Sequence, residues 1–130
     1  MRSGMGTDQY HEPPGELPPA VRTFARICAS LVEEAEAIGW YQQRLAIEPD
    51  GEAAAIMRQA QEEEFNHFSM DLEFLLRRTP RWREIAQRVL FQPGPITERA
   101  EAAEEEVIHG DDEVDANGSL GIGSLKGVQP

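Results

Sequence analysis

Apolar side chains in the first half of the chain recur at steps of three and four: Val21, Phe24, Ile27, Cys28, Leu31, Ala35 and Ile38. This spacing marks one helix face and predicts a helix from Pro19, well suited to a first turn, to about Leu45. Gly39 inside the run costs about 1 kcal/mol relative to Ala, which a helix this long absorbs. Glu48-Pro49-Asp50-Gly51 reads as a turn, with Asp50 placed to cap a second helix. On that helix Ile56, Ala60, His67 and Phe74 form one stripe, and Phe65, Phe68, Leu72 and Leu75 form another. Two stripes predict more than one neighbour. Arg77-Arg78-Thr79-Pro80 ends the helix, with the basic pair at the negative end of its dipole. Trp82, Ile85, Val89 and Leu90 then predict a third, shorter helix, stopped by Gln92-Pro93-Gly94-Pro95.

The remaining segments lack such a pattern. Residues 1–18, broken by Pro13-Pro14-Gly15 and Pro18-Pro19, are expected to form a flexible arm. Residues 97–109 can continue as helix but carry few apolar anchors, so 98–119 is assigned as an acidic flexible linker. An apolar, glycine-rich segment, 120–127, follows. The expected fold is all-α: residues 19–97 form an antiparallel two-helix hairpin plus a short C-terminal helix. A hairpin of this size buries little surface alone, so the missing core is expected from a second copy.

Charge narrows the list of partners. The 130 residues carry a net charge of −12, and nine acidic residues between Glu98 and Asp115 are opposed only by Arg99. Phosphate backbones are repelled by such a chain, which argues against nucleic acid. Divalent cations are attracted. Cys28 is the single cysteine, so no intrachain disulfide forms and a reducing compartment is expected. Met1 to Pro19 holds no apolar run, giving the expectation of a soluble, cytoplasmic protein without membrane contact.

Three residues stand out chemically. Residues seven apart on a helix lie about 20° apart around its axis, so Ile27, Glu34 and Tyr41 share one line. Leu31, Ile38 and Leu45 form the adjacent line, and Glu34 therefore points into an apolar face. A carboxylate there needs a cation: a metal, or an arginine such as Arg58 or Arg77. On the second helix Glu64 and His67 form a Glu-x-x-His whose side chains project from one side. Glu63, four residues before His67, is the alternative register, whereas Glu62 reads as solvated. Carboxylate with imidazole suits iron, manganese or zinc. A ferritin-like di-iron bundle takes one Glu from each of two helices and a Glu-x-x-His from each of the other two. This chain supplies one of each, hence half a site and half a bundle. A twofold homodimer completes both.

Glu33-Glu34-Ala-Glu36-Ala-Ile-Gly-Trp40-Tyr41-Gln-Gln-Arg44 and Glu62-Glu63-Glu64-Phe-Asn-His67-Phe-Ser-Met70 resemble the two helix motifs of the encapsulated ferritins. His11-Glu12-Pro13, Leu90-Phe91 and Gly94-Pro95-Ile96-Thr97 also fit that family. The tail, Gly118-Ser119-Leu120-Gly-Ile122-Gly-Ser124-Leu125-Lys126-Gly127, is similar to the peptide that docks cargo inside encapsulin shells. The resemblance implies a ferroxidase centre with Glu34, Glu64 and His67 as ligands from each subunit, holding two iron ions, Fe(II) or Fe(III), per dimer interface. It further implies a ring of dimers, expected as a decamer, bound to the encapsulin shell through Leu120–Gly127. Glu33 and Glu36 would form a weaker metal site on the approach route, with Trp40 beside it and Tyr41 near the centre. Gly39 and Asp71 depart from the family pattern, and Asp71 is a candidate partner for the His67 imidazole. Two other readings compete. A non-catalytic metal-binding or adaptor cargo would bind metal without consuming oxygen. A rubrerythrin-like peroxidase would need its full ligand set in one chain, often with a cysteine-rich iron site that Cys28 alone cannot supply.

Overall fold

The computed structural model describes residues 9–110, all of its regular structure helical. A 3₁₀ turn, Pro14–Glu16, precedes α1 (Pro19–Ile47) and α2 (Gly51–Arg78); α3 (Pro80–Val89), α4 (Ile96–Ala103) and a π-helical turn, Glu104–His109, complete the order. The chain divides into two compact units, the first ending at Arg78 and the second beginning at Thr79. Among the described residues no helix is long and apolar enough to cross a membrane.

In the first unit α1 starts with proline at its first position, and Arg22 Nη1 donates to the carbonyls of Pro14 (2.9 Å) and Leu17 (3.0 Å). These bonds tie the approaching chain to the first turn of the helix. Pro49 prevents α1 from running on. The predicted cap is present: Asp50 Oδ1 accepts the backbone N–H of Ala53 at 2.8 Å, satisfying one of the donors that a helix start leaves open. The short turn makes α1 and α2 antiparallel neighbours that pack along their length.

Their packing leaves much apolar surface uncovered. No residue of α1 is fully buried, and α2 buries only Gln61, Leu75 and Leu76. Trp40 and Phe65 are each 47% exposed and Met70 is 58% exposed. Gln61 provides the polar contact across the pair, its Nε2 donating to the Ile38 carbonyl (3.2 Å) and to Gln42 Oε1 (2.9 Å). Such bonds fix the register of one helix against the other, because a shift along the axis would strand a buried amide.

The second unit corrects the expected linker. Residues 98–109 are helical, and the acidic stretch is part of a small packed unit rather than a tether. Alanines at 100, 102 and 103 favour helix, and Ala103 and Val107, one turn apart, are buried. Two arginines of α3 hold the acidic end: Arg81 Nη1 donates to the Val107 carbonyl at 3.2 Å, and Arg88 Nε meets Glu106 Oε1 at 2.8 Å. The connection between α3 and α4 turns sharply, with Gly94 at φ 91° and Phe91, fully exposed, at φ 61°. Only Gly94 takes a left-handed angle without steric cost. The remainder of the expected linker and the 120–127 segment lie outside the described residues.

Candidate metal centre

The register set by Gln61 determines what faces what. Glu34 lies one helical turn before Ile38, and Glu64 lies three residues after Gln61. In antiparallel helices those displacements run the same way. Glu34 of α1 accordingly meets Glu64 and His67 of α2, and one ligand atom from each of the three lies within 4.8 Å of the others.

The three donors have little else to bind. Glu34 Oε1 and Glu64 Oε1 are both buried without a hydrogen-bond donor. His67 Nδ1 stands 3.5 Å from Glu64 Oε1, too long to satisfy that oxygen. Burial pushes the Glu34 carboxyl up to about 7, aided by a hydrogen bond and negative charge from Asp71 and by the charge of Glu64, with His67 pulling the other way. Two solvent-excluded carboxylate oxygens and an imidazole on facing helices form a site that lacks positive charge. The donor set, hard oxygen with one nitrogen, fits Fe(II), Mn(II) or Zn(II). The imidazole side chain is 47% exposed and that of Glu64 25%, so the site is open to solvent on the His67 side.

The sequence expectations can now be placed. Glu64, not Glu63, belongs to the constellation; Glu63 is exposed, as is Glu62. Neither arginine considered for Glu34 pairs with it, since Arg77 binds Glu73 at 2.6 Å and Arg58 is exposed on α2. Glu33, exposed, and Glu36, half-buried, stand outside the converging trio. Tyr41 keeps its place on the Glu34 line, with the Arg44 guanidinium 5.4 Å from its ring centre. Asp71 lies against Glu34 rather than serving the His67 imidazole, whose neighbour is Glu64.

Gln61 was missed as a structural determinant, although a signal was present. Positions 61, 65, 68, 72 and 75 advance by four and three, so Gln61 occupies the first place of an otherwise apolar stripe. An amide in that position has to find a partner across the interface.

An all-helical hairpin that presents one glutamate from its first helix and a Glu-x-x-His from its second defines a ferritin-like protein. The chain belongs to the EncFtn-like family, which matches residues 9–93 and so takes in all three converging residues. It is 42% identical over 118 residues to a ferritin-like protein of Thermotoga maritima, spanning 91% of this chain and 98% of the relative. It is 40% identical over 128 residues to an encapsulated ferritin-like protein of Rhodospirillum rubrum, spanning 93% of this chain and 90% of that one. Among solved structures it is similar to a protein of Nitrosomonas europaea, with a TM-score of 0.66 and 37% identity over 68% of this chain and 99% of the other.

Proposed function

We propose that this chain is a ferroxidase subunit whose centre is completed by a second copy, and that it works as cargo of an encapsulin compartment. The convergence of Glu34, Glu64 and His67, with two buried carboxylate oxygens left without donors, carries the reading. Two copies about a twofold axis supply four carboxylates and two imidazoles, the complement of a di-iron bundle. The exposed Trp40, Phe65 and Met70 and an α1 with no buried residue support a partner hairpin. Four carboxylates balance the charge of two Fe(II), the substrate. Each Fe(II) gives one electron to dioxygen, which takes two to become peroxide or four to become water, with protons from solvent. Glu34 and Glu64 hold the ions through hard oxygens, and one imidazole per ion leaves coordination positions open.

The other parts of the reading concern delivery and location. Glu33 and Glu36, on the α1 surface beside Trp40, form a weaker site through which iron approaches. Dimers assemble further into a ring, as a decamer. Leu120–Gly127 docks the assembly on the shell wall, so that oxidised iron mineralises in the lumen. The similarity to the encapsulated ferritin-like protein of Rhodospirillum rubrum supports this placement.

Oxygen uptake on adding Fe(II) to the metal-free protein tests the chemistry. Uptake tied to iron oxidation is expected, with Glu64→Ala and His67→Ala each slower by at least about tenfold. Metal binding without oxygen uptake would leave only a metal-binding protein. Co-purification with a co-expressed encapsulin shell tests the location: removal of residues 120–130 should abolish loading and spare oxidation, and equal loading would refute the cargo role.

A further inference from the structure

We infer that α1 carries a second docking face, on the flank of the hairpin away from the metal trio, and that its occupant is the same face of another copy of this chain. The inference rests on the paired subunit proposed above and deepens it by naming the surface through which such pairs join.

Helical geometry separates the two flanks, because successive residues turn by about 100°. Measured from the contact between Gln61 and Ile38, Glu34 and Glu64 lie about 40° and about 60° backwards around their helices. In an antiparallel pair, rotation in the same sense about each helix leads to the same flank. Val21, Cys28 and Val32 lie about 80–120° forwards on α1, and Phe65 about 40° forwards on α2. They belong to the other flank, where Val21, Val32 and Phe65 are all exposed.

Spacing identifies what fits there. Val21, Ala25, Cys28, Val32, Ala35 and Gly39 advance by four and three without a break. This is a 3.5-residue repeat, the seam along which another helix packs. No charge interrupts it, whereas Arg22, Arg26, Glu33 and Glu36 stand on the back of α1. A second copy brings the same net charge of −12, so two copies meet at least cost where neither presents a charge. The area is also sufficient. The 29 residues of α1 span about 43 Å, and the pair of helices is about 20 Å wide, giving a flank of about 800 Å², the share a stable interface takes from each partner.

A face that meets its own copy makes a twofold contact. Pairing at the metal trio is another twofold contact, on the other flank. Two such contacts alternating from copy to copy build a closed ring, whereas either one alone stops at a dimer.

Sedimentation velocity of the full-length chain with Mn(II) tests this. Val32 is exposed, so Val32→Glu leaves the hairpin's own packing in place while setting a charge in the seam. Wild type should sediment as a species larger than a dimer, and Val32→Glu, with unchanged helix content, should stop at the dimer. Assembly of the variant equal to that of wild type would overturn the inference. A monomeric Val32→Glu would support this face and refute the pairing at the metal trio. A wild type that goes no further than a dimer, and falls to monomer in His67→Ala, would overturn the second face and leave the metal pairing standing. Cys28, the single thiol, gives an answer from wild type alone. Its labelling by a maleimide should slow several-fold as the protein is raised from dilute to assembling concentration; a rate independent of concentration would overturn the inference.

Discussion

The two units use glutamate in opposite ways. In the α1–α2 hairpin, Glu34 and Glu64 turn inward and keep buried oxygens without donors. In the α3–α4 unit, Glu104, Glu105 and Glu106 face outward, and Glu106 is held by Arg88. The acid type is the same, and the difference is burial together with the partner within reach. Where the sequence places an arginine within reach, the carboxylate is a surface tie. Where the carboxylates are buried beside an imidazole, they keep oxygens without donors, and the proposed metal centre rests on that arrangement. The family match shows the same division, covering the whole hairpin and α3 while stopping at residue 93, before α4 begins. The converging trio belongs to the hairpin, and the second unit rests on a small core of its own around Ala103 and Val107.

The sharpest way to break that division is to disturb the register of the hairpin without touching a ligand. Gln61→Ala removes a buried side chain and both its bonds, to the Ile38 carbonyl and to Gln42. The combined cavity and hydrogen-bond loss should cost about 2–4 kcal/mol. Because Glu34 meets Glu64 only in this register, metal affinity should fall with stability. Denaturant unfolding with and without Mn(II) measures both. A variant that loses stability yet binds metal as tightly as wild type would show that something other than Gln61 sets the alignment.

Much of the hairpin was legible because its signals are local. The steps from Val21 to Ile38 fix a face, Pro19 and Asp50 fix helix starts, and the Glu-x-x-His spacing puts Glu64 and His67 on one side of α2. The members of the converging trio were legible in the sequence, but the choice between Glu63 and Glu64 depended on an α1–α2 register that no single-helix pattern contains. Asp71 is a candidate partner for the His67 imidazole from sequence, both lying on α2 one turn apart; its neighbour in the structure is across the pair, on α1. The 98–109 stretch was read as linker because acidic composition outweighed its alanines. What stabilises it comes from α3, through Arg81 and Arg88, and long-range ties of that kind leave no periodic trace.

A second, smaller effect separates the units by pH. The Glu34 carboxyl of the folded, metal-free chain is raised to about 7 from an ordinary 4.5, by burial first and then by Asp71. A raised acid binds its proton more tightly folded than unfolded, so its contribution is most favourable below the ordinary value. Stability should then decline as pH climbs from the ordinary value towards the raised one, and level off above it. His67 and solvent access moderate the decline. Thermal unfolding of the metal-free protein at about pH 5 and about pH 8, compared with Glu34→Gln, isolates this group. The variant should show a smaller drop between the two conditions; equal drops would assign the pH dependence to other residues.

The smallest effect is expected in the second unit, and it tests the division from the other side. Arg88 Nε meets Glu106 Oε1 at 2.8 Å, but the side chains are 39% and 59% exposed. Water therefore screens the pair, and ordering two long side chains offsets much of the attraction. Arg88 Nη1 also donates to the Glu84 carbonyl at 3.3 Å, a bond that solvent can replace at this exposed position. Arg88→Ala should thus cost no more than about 1 kcal/mol, and less in high salt. A double-mutant cycle with Glu106→Ala separates the ion pair from the loss of the arginine stem, which also covers apolar surface. Most informative is what should not change: Mn(II) affinity and the rate of Fe(II) oxidation should equal those of wild type. If Arg88→Ala weakened metal binding as much as Gln61→Ala does, the α3–α4 unit would be helping to hold the hairpin's register, and the assignment of all the chemistry to the hairpin would have to be given up.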